Sequence, residues 1–191
     1  MTLGFTIAIR DAVLTIQFDR PGIRNPLSIS VLENLRASLD DLGSNGIKAI
    51  IFTGMDDVFA SGADLREIAS VTPETATEFA LRGQTLMTKI STLPQKTIAA
   101  INGFCFGGAL DLALACDRRI ASPNATFAHP GAGLGIITGW GGTQRLPRLV
   151  GRGNALELFF TAEAIDADRA VEIGLVDEIA DDPLAFAIAA T

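Results

Sequence analysis

A single histidine, His129, stands in 191 residues. That excludes a multi-histidine metal centre. The two cysteines, Cys105 and Cys116, lie in apolar runs without a Cys-x-x-Cys spacing. They read as buried, reduced thiols, and no metal site is expected. Basic tracts are missing: 15 basic residues face 22 acidic ones, for a formal net charge of −7. Nucleic acid and anionic membrane surfaces are therefore not expected partners. No apolar run approaches the ~18 residues that span a bilayer. Met1-Thr2-Leu3-Gly4 opens no basic region followed by an apolar core, so no secretory leader is expected and the expected location is cytoplasmic. Three nucleotide or hydrolase motifs are also missing. No Gly-Lys-Ser/Thr follows a glycine run, Ser61 is not in a Gly-x-Ser-x-Gly elbow, and Gly131-x-Gly133-x-Gly135 lacks the dinucleotide spacing.

What is present is apolar and regular. Hydrophobic residues make up 48% and charged residues 19%, enough for one packed domain over residues 1–191. Phe5, Ile7 and Ile9 alternate with smaller or polar residues, as does Val13 to Phe18, which predicts two paired strands turning at Asp11-Ala12. Residues 20–26 carry two prolines, a glycine and an asparagine and read as an irregular loop. Ser28 or Ser30 can cap a helix to about Leu42, with Val31, Leu32, Leu35 and Leu39 inward. Lys48 to Thr53 reads as a buried strand, residues 55–62 as a loop, and the stretch from Pro73 as a long helix with Phe79, Leu86 and Ile90 inward. Further strands are predicted at 97–101, 118–121, 126–128 and 176–179, and helices at 109–116, from about 143, and at 166–173. Strand, strand, helix recurs, so the expected class is α/β with stacked ββα units rather than a doubly wound sheet.

Two stretches carry chemistry. In Ile101-Asn102-Gly103-Phe104-Cys105-Phe106-Gly107-Gly108-Ala109-Leu110-Asp111 a strand runs through a glycine pair into a helix start. The glycines let a ligand atom approach unpaired backbone N–H groups, and Asp111 sits in the first turn. Phe59-Ala60-Ser61-Gly62-Ala63-Asp64-Leu65 is a second such loop, in which Gly62 can aim the N–H of Ala63 outward. Two N–H groups converging on one oxygen make an oxyanion hole, worth about 10²–10³ in rate per donor.

The two loops, together with Gly139-Trp140-Gly141-Gly142-Thr143-Gln144-Arg145-Leu146 and the segment Asp166-Ala167 through Gly174-Leu175-Val176, resemble the crotonase superfamily of enoyl-CoA hydratases and isomerases from about Phe5 to Asp182. The resemblance implies a spiral of ββα units acting on a coenzyme A thioester, with no permanently bound cofactor. It implies that Ala63 and Gly108 hold the thioester oxygen and that Asp111 moves the proton. Arg24 and Pro26 would contact the CoA moiety. Ala60, Gly62, Asp64 and Leu65 would line its path, and Phe104, Phe106, Gly107, Gly131 and Thr138 complete the implied contacts. It also implies a homotrimer or dimer of trimers.

The sequence departs from the family pattern in two places. Hydratases of the family flank a water with two glutamates. Asp111 stands for the first, one methylene shorter, and Phe127-Ala128-His129-Pro130-Gly131 places glycine at the second. Hydration needs a base for water and an acid for the α-carbon, so a one-carboxylate proton transfer such as a double-bond shift is the expected reaction, with weak hydration beside it. The alternatives are an acyl-CoA-binding protein without turnover, or a decarboxylase or thioester hydrolase using the same hole. His129 is expected at the surface or an interface, Asp64 as a cap and Trp140 as packing. The second departure is an expected one, a shortened helical region after Asp182-Pro183, where the resemblance implies further helices in trimer contacts.

Overall fold

The computed structural model describes residues 3–41 and 46–191. Strands β1 (Phe5–Arg10) and β2 (Val13–Phe18) form an antiparallel hairpin. Asp11 and Ala12 turn it with φ of 51° and 65°, the paired left-handed geometry that matches strand twist. Strands β4 (Ala49–Thr53), β7 (Lys96–Ile101), β9 (Arg118–Ala121) and β12 (Glu178–Ile179) then add in parallel. The result is a six-stranded sheet ordered β1-β2-β4-β7-β9-β12. All five residues of β4 and the last five of β7 are buried, because both sheet faces are covered. One face packs on the main core. The other, with Val13, Ile51, Ile98, Ala100 and Ile120, is closed by Ala187 and Leu184 of a helix at Pro183–Ala189.

After each central strand the chain crosses to a second, four-stranded sheet. There β5 (Val58–Ala60), β8 (Phe104–Phe106) and β10 (Thr126–Ala128) lie parallel, with β11 (Ile165–Asp166) antiparallel at the edge. A helix follows each crossing. Helices α2 (Leu65–Ile68) and α3 (Pro73–Ser91) follow β5, α4 (Gly108–Ala115) follows β8, and α5 (Gly142–Thr161) comes after β10. The ββα unit is thus used three times; the sequence predicted that it recurs, but not the second strands β5 and β8 of the first two units. Helix α1 (Ile29–Asp40) starts at Ser28, whose hydroxyl accepts from Val31 N, and buries the four predicted residues. Its predicted end at Leu42 lies outside the described residues.

Several expectations need correction. The 20–26 loop contains a 3-10 turn at Pro21–Ile23, and Pro26–Leu27 forms strand β3 against β6 (Gly62–Ala63). The 55–62 loop contains β5 and the start of β6. Strands of two or three residues are too short to show alternation, so tertiary pairing alone defines them. The last strand begins at Glu178, not Val176. Helix α5 has a break at Gly151, where φ is 79° and ψ 160°.

Candidate active site

The site is built at the junction of β8 and α4. Gly107, with φ 55° and ψ −121°, turns the chain from strand to helix, a conformation that favours glycine. Its N–H donates to Ala128 O at 2.8 Å, and its carbonyl accepts from Asp111 N at 3.1 Å. Gly108 is the first helical residue, so its N–H has no intrahelical acceptor. Every residue of α4 from Ala109 to Ala115 is buried, and Asp111 is the only charged one. The second loop presses on this helix start. Gly62 has φ +85°, and a Cβ there would stand 2.6 Å from Gly108 N and 2.6 Å from Phe106 O. Backbone meets backbone at that point, with Ala63 next in the chain.

Ala63, Gly107, Gly108 and Asp111 share a cavity of about 300 Å³ with Gly131 and Thr138. Apart from Ser61 the rest of the wall is apolar, with Phe79, Leu134, Ile136, Ile137 and Trp140 on it. Asp111 is fully buried, and its Oδ2 accepts from the Thr138 hydroxyl. Burial raises its pKa to about 7, and Thr138, then Arg145, then the Trp140 and Gly142 amides, oppose that rise. Neither amide gives Oδ1 a hydrogen bond of normal geometry. A carboxyl group poised near neutrality on an apolar cavity can both take and return a proton.

On the other side of residues 61–65 lies a cleft of about 480 Å³, lined by Arg24, Pro26, Asp64, Arg66, Phe104 and Phe106 among others. Ser61, Ala63 and Leu65 line both spaces, so the cleft and the cavity adjoin across this segment. Phe104 and Phe106 stack at 3.6 Å, and the Arg24 guanidinium lies 4.9 Å over Phe104. Asn25 anchors this corner, its Nδ2 donating to Val58 O and Phe59 O at 3.1 Å. Asp64 caps α2 as expected. Its bond to the Arg66 guanidinium holds its carboxyl below the usual range.

Most of the predicted site residues therefore come together, with two exceptions, and one expectation about a neighbouring residue needs correction. Ala60 is buried within β5 and lines neither space. Gly62 lines neither; it makes the close loop contact instead. His129 is not at the surface: it is 3% exposed, with Nε2 3.6 Å from Asp111 Oδ1. The chain enters a 3-10 turn at Pro130 directly after it, which turns the imidazole inward against Phe159 at 5.1 Å between ring centroids. The sequence reading also missed the apolar cavity wall. Leu134, Ile136 and Ile137 stay more than two-fifths exposed within a glycine-rich segment, and large apolar residues in such a segment were the available signal. Among the described residues no cluster of three potential ligands could hold a metal.

A stacked ββα fold with a glycine-lined helix start facing a second backbone loop defines a crotonase-type protein. The enoyl-CoA hydratase/isomerase family profile matches residues 8–185, and the chain belongs to that family. It is 39% identical over 171 residues to a crotonyl-CoA hydratase of Syntrophomonas wolfei, covering 88% of this chain and 66% of that one. It is 41% identical over 170 residues to a short-chain-enoyl-CoA hydratase of Clostridium acetobutylicum, covering 88% and 64%. The chain thus spans just under two thirds of the length of these relatives. Among solved structures, an enoyl-CoA hydratase from Thermoplasma volcanium superposes with a TM-score of 0.93 at 32% identity, covering 99% of this chain and 77% of that one. Pseudomonas aeruginosa DspI gives 0.91 at 35%, covering 99% and 78%. Among the described residues no helix is long and apolar enough to cross a membrane.

Proposed function

We propose that the protein acts on an acyl-CoA thioester by stabilising its enolate and moving one proton with Asp111. The observation that carries this reading is the single cavity onto which Ala63, Gly108 and Asp111 all open. Asp111 as carboxylate takes the proton from the α-carbon. The electron pair of that C–H bond moves to the thioester oxygen, which the N–H groups of Ala63 and Gly108 receive. Return of the proton at the γ-carbon shifts a double bond, and return at the α-carbon exchanges hydrogen. The Arg24–Phe104–Phe106 corner supports placing the CoA end in the larger cleft, and the apolar cavity takes the acyl chain. No cofactor is required by this chemistry, and a homotrimer is the proposed assembly.

The relatives named as hydratases favour a second reading, addition of water. Gly131 opposes it, because among the described residues no second carboxylate lines the cavity. Both readings are tested together with four-carbon thioesters, since those relatives are named for crotonyl and short-chain enoyl substrates. Butyryl-CoA in deuterium oxide reports α-exchange by mass spectrometry, and a panel of α,β-enoyl, β,γ-enoyl, malonyl-type and 3-hydroxyacyl thioesters reports products. Exchange and double-bond shift abolished in Asp111→Asn are the expected results. Exchange that survives Asp111→Asn unchanged rules out the assigned base. Hydration as the fastest reaction establishes the second reading, and binding without any turnover overturns both.

A further inference from the structure

Two buried polar atoms near the cavity have no hydrogen-bond partner: Asp111 Oδ1 and His129 Nε2. They face each other at 3.6 Å, just beyond hydrogen-bond length. Oδ2 of the same carboxyl is already taken by Thr138. A buried polar group left unpaired costs about 1–3 kcal/mol, so these two neighbouring atoms can satisfy one another, beside the Trp140 and Gly142 amides that also lie against the carboxyl. We propose that His129 is the positioning partner of Asp111, its imidazole turning Nε2 to Oδ1 and pairing with the carboxyl group in both of that group's protonation states. The inference rests on the proposed role of Asp111 as the proton carrier.

A neutral imidazole has the chemistry for this. With the ring proton on Nε2 it donates to the carboxylate; with the proton on Nδ1 it accepts from the carboxylic acid. Burial pushes the His129 pKa down to about 4, so the ring stays uncharged while Asp111 loses and regains its proton. A closure of a few tenths of an ångström makes the bond, and catalytic hydrogen bonds commonly tighten once ligand is bound. The other ionisable groups facing Asp111 are Arg145 from α5 and Cys105 from β8. The Cys105 thiol is driven well up by its own burial and stays neutral. Around His129, Phe159 of α5 supplies the ring contact. His129 lines neither the cavity nor the CoA cleft, so it acts through Asp111 and not on substrate.

The test compares wild type with His129→Phe, which keeps a ring and loses both nitrogens, and His129→Gln, whose amide can donate or accept. Aspartate ¹³Cγ NMR follows the Asp111 titration, its signal assigned by loss in Asp111→Asn. Butyryl-CoA α-deuterium exchange follows the rate against pH. Hydrogen bonds to the charged form are the stronger ones, so His129→Phe moves the Asp111 titration, and the rising limb of the rate profile, upward by about one pH unit. It also lowers the exchange rate by about tenfold, with KM little changed, and His129→Gln restores most of it. Unchanged titration in His129→Phe overturns the proposal, and so does equal impairment of the two variants, which marks packing alone. If His129→Phe does not fold, His129→Met carries the same comparison. A wild type that exchanges no deuterium sinks the functional reading, while the NMR titration still decides the pairing.

Discussion

The indole of Trp140 occupies the space that a side chain on Gly108 would need. The same ring closes on Gly83 of α3, so one side chain fixes the helix start against the long helix beside it. Gly108→Ala is expected to displace the indole and tilt the N–H at position 108. α-Exchange should fall by about 10², with a stability loss of about 1–3 kcal/mol. Trp140→Phe added to Gly108→Ala should recover part of the stability in a double-mutant cycle, measured by urea melts. Additive losses would mean that the two positions do not compete for space.

Gly62 makes the corresponding contact from the other loop. Its φ of +85° already disfavours a side chain, and a methyl would meet backbone atoms of Gly108 and Phe106 at 2.6 Å. Neither can yield as a flexible side chain would. Gly62→Ala should separate the Ala63 and Gly108 amides and cut exchange by about 10² or more, with affinity for CoA itself little changed. Steady-state exchange beside calorimetric CoA binding checks both halves. Intact exchange would show that the hole lies elsewhere.

Much of this site was legible because its elements are local. Gly107-Gly108 between an apolar strand and a short helix, and Gly62 before Ala63, are chain-local devices, and both loops meet where the sequence implied. Asp64 was read as a cap for the same reason, and Ser28 with Ser30 as its alternative; the structure uses Ser28 and Asp64. The misses are tertiary. His129 faces Asp111 only because Pro130 turns the chain there, and spacing of 18 residues along the sequence carries no trace of that contact. Strands β5, β6, β8 and β11 have two or three residues each, below any periodicity. The helix Pro183–Ala189 was not among the predicted elements, yet its Ala187 and Leu184 cover the outer face of the large sheet.

The resemblance sets Gly131 against the family's second glutamate, and the fold leaves no room for such a side chain without a shift of the turn. A Cβ on Gly131 would stand 2.6 Å from Ile136 O, inside a turn closed by the Ile136 N–H to Gly131 O bond of 3.0 Å. Gly131→Glu should therefore shift the turn, cost about 1–3 kcal/mol and leave crotonyl-CoA hydration no faster. Thermal melts and product assay check this. A gain of hydration at unchanged stability would show that the turn accommodates the side chain and that the missing carboxylate alone limits the reaction.

Asp111 and His129 also have opposite effects on stability, and single substitutions should separate them. In the fold Asp111 titrates at about 7 against an ordinary 3.8, so between those values the folded state holds a proton that the unfolded chain has lost. Its contribution falls as pH rises through that window. His129 titrates at about 4 against 6.5, so the unfolded chain binds the extra proton, and stability from this group is present above 6.5 and lost as pH falls toward 4. The windows nearly coincide and the slopes oppose, so the wild type hides both. Asp111→Asn leaves the histidine slope, and its Tm should drop more steeply than wild type on acidification below pH 6.5. His129→Phe leaves the aspartate slope, and its Tm should instead fall as pH is raised through about 7 and on to the higher titration that loss of the imidazole gives Asp111. Each unit of pKa difference corresponds to about 1.4 kcal/mol, enough for a shift of several degrees. The three proteins differ only at these two positions, so the differences between curves report on the pair. Three parallel Tm–pH curves would mean that burial perturbs neither group and that the proton on Asp111 is not poised near neutrality.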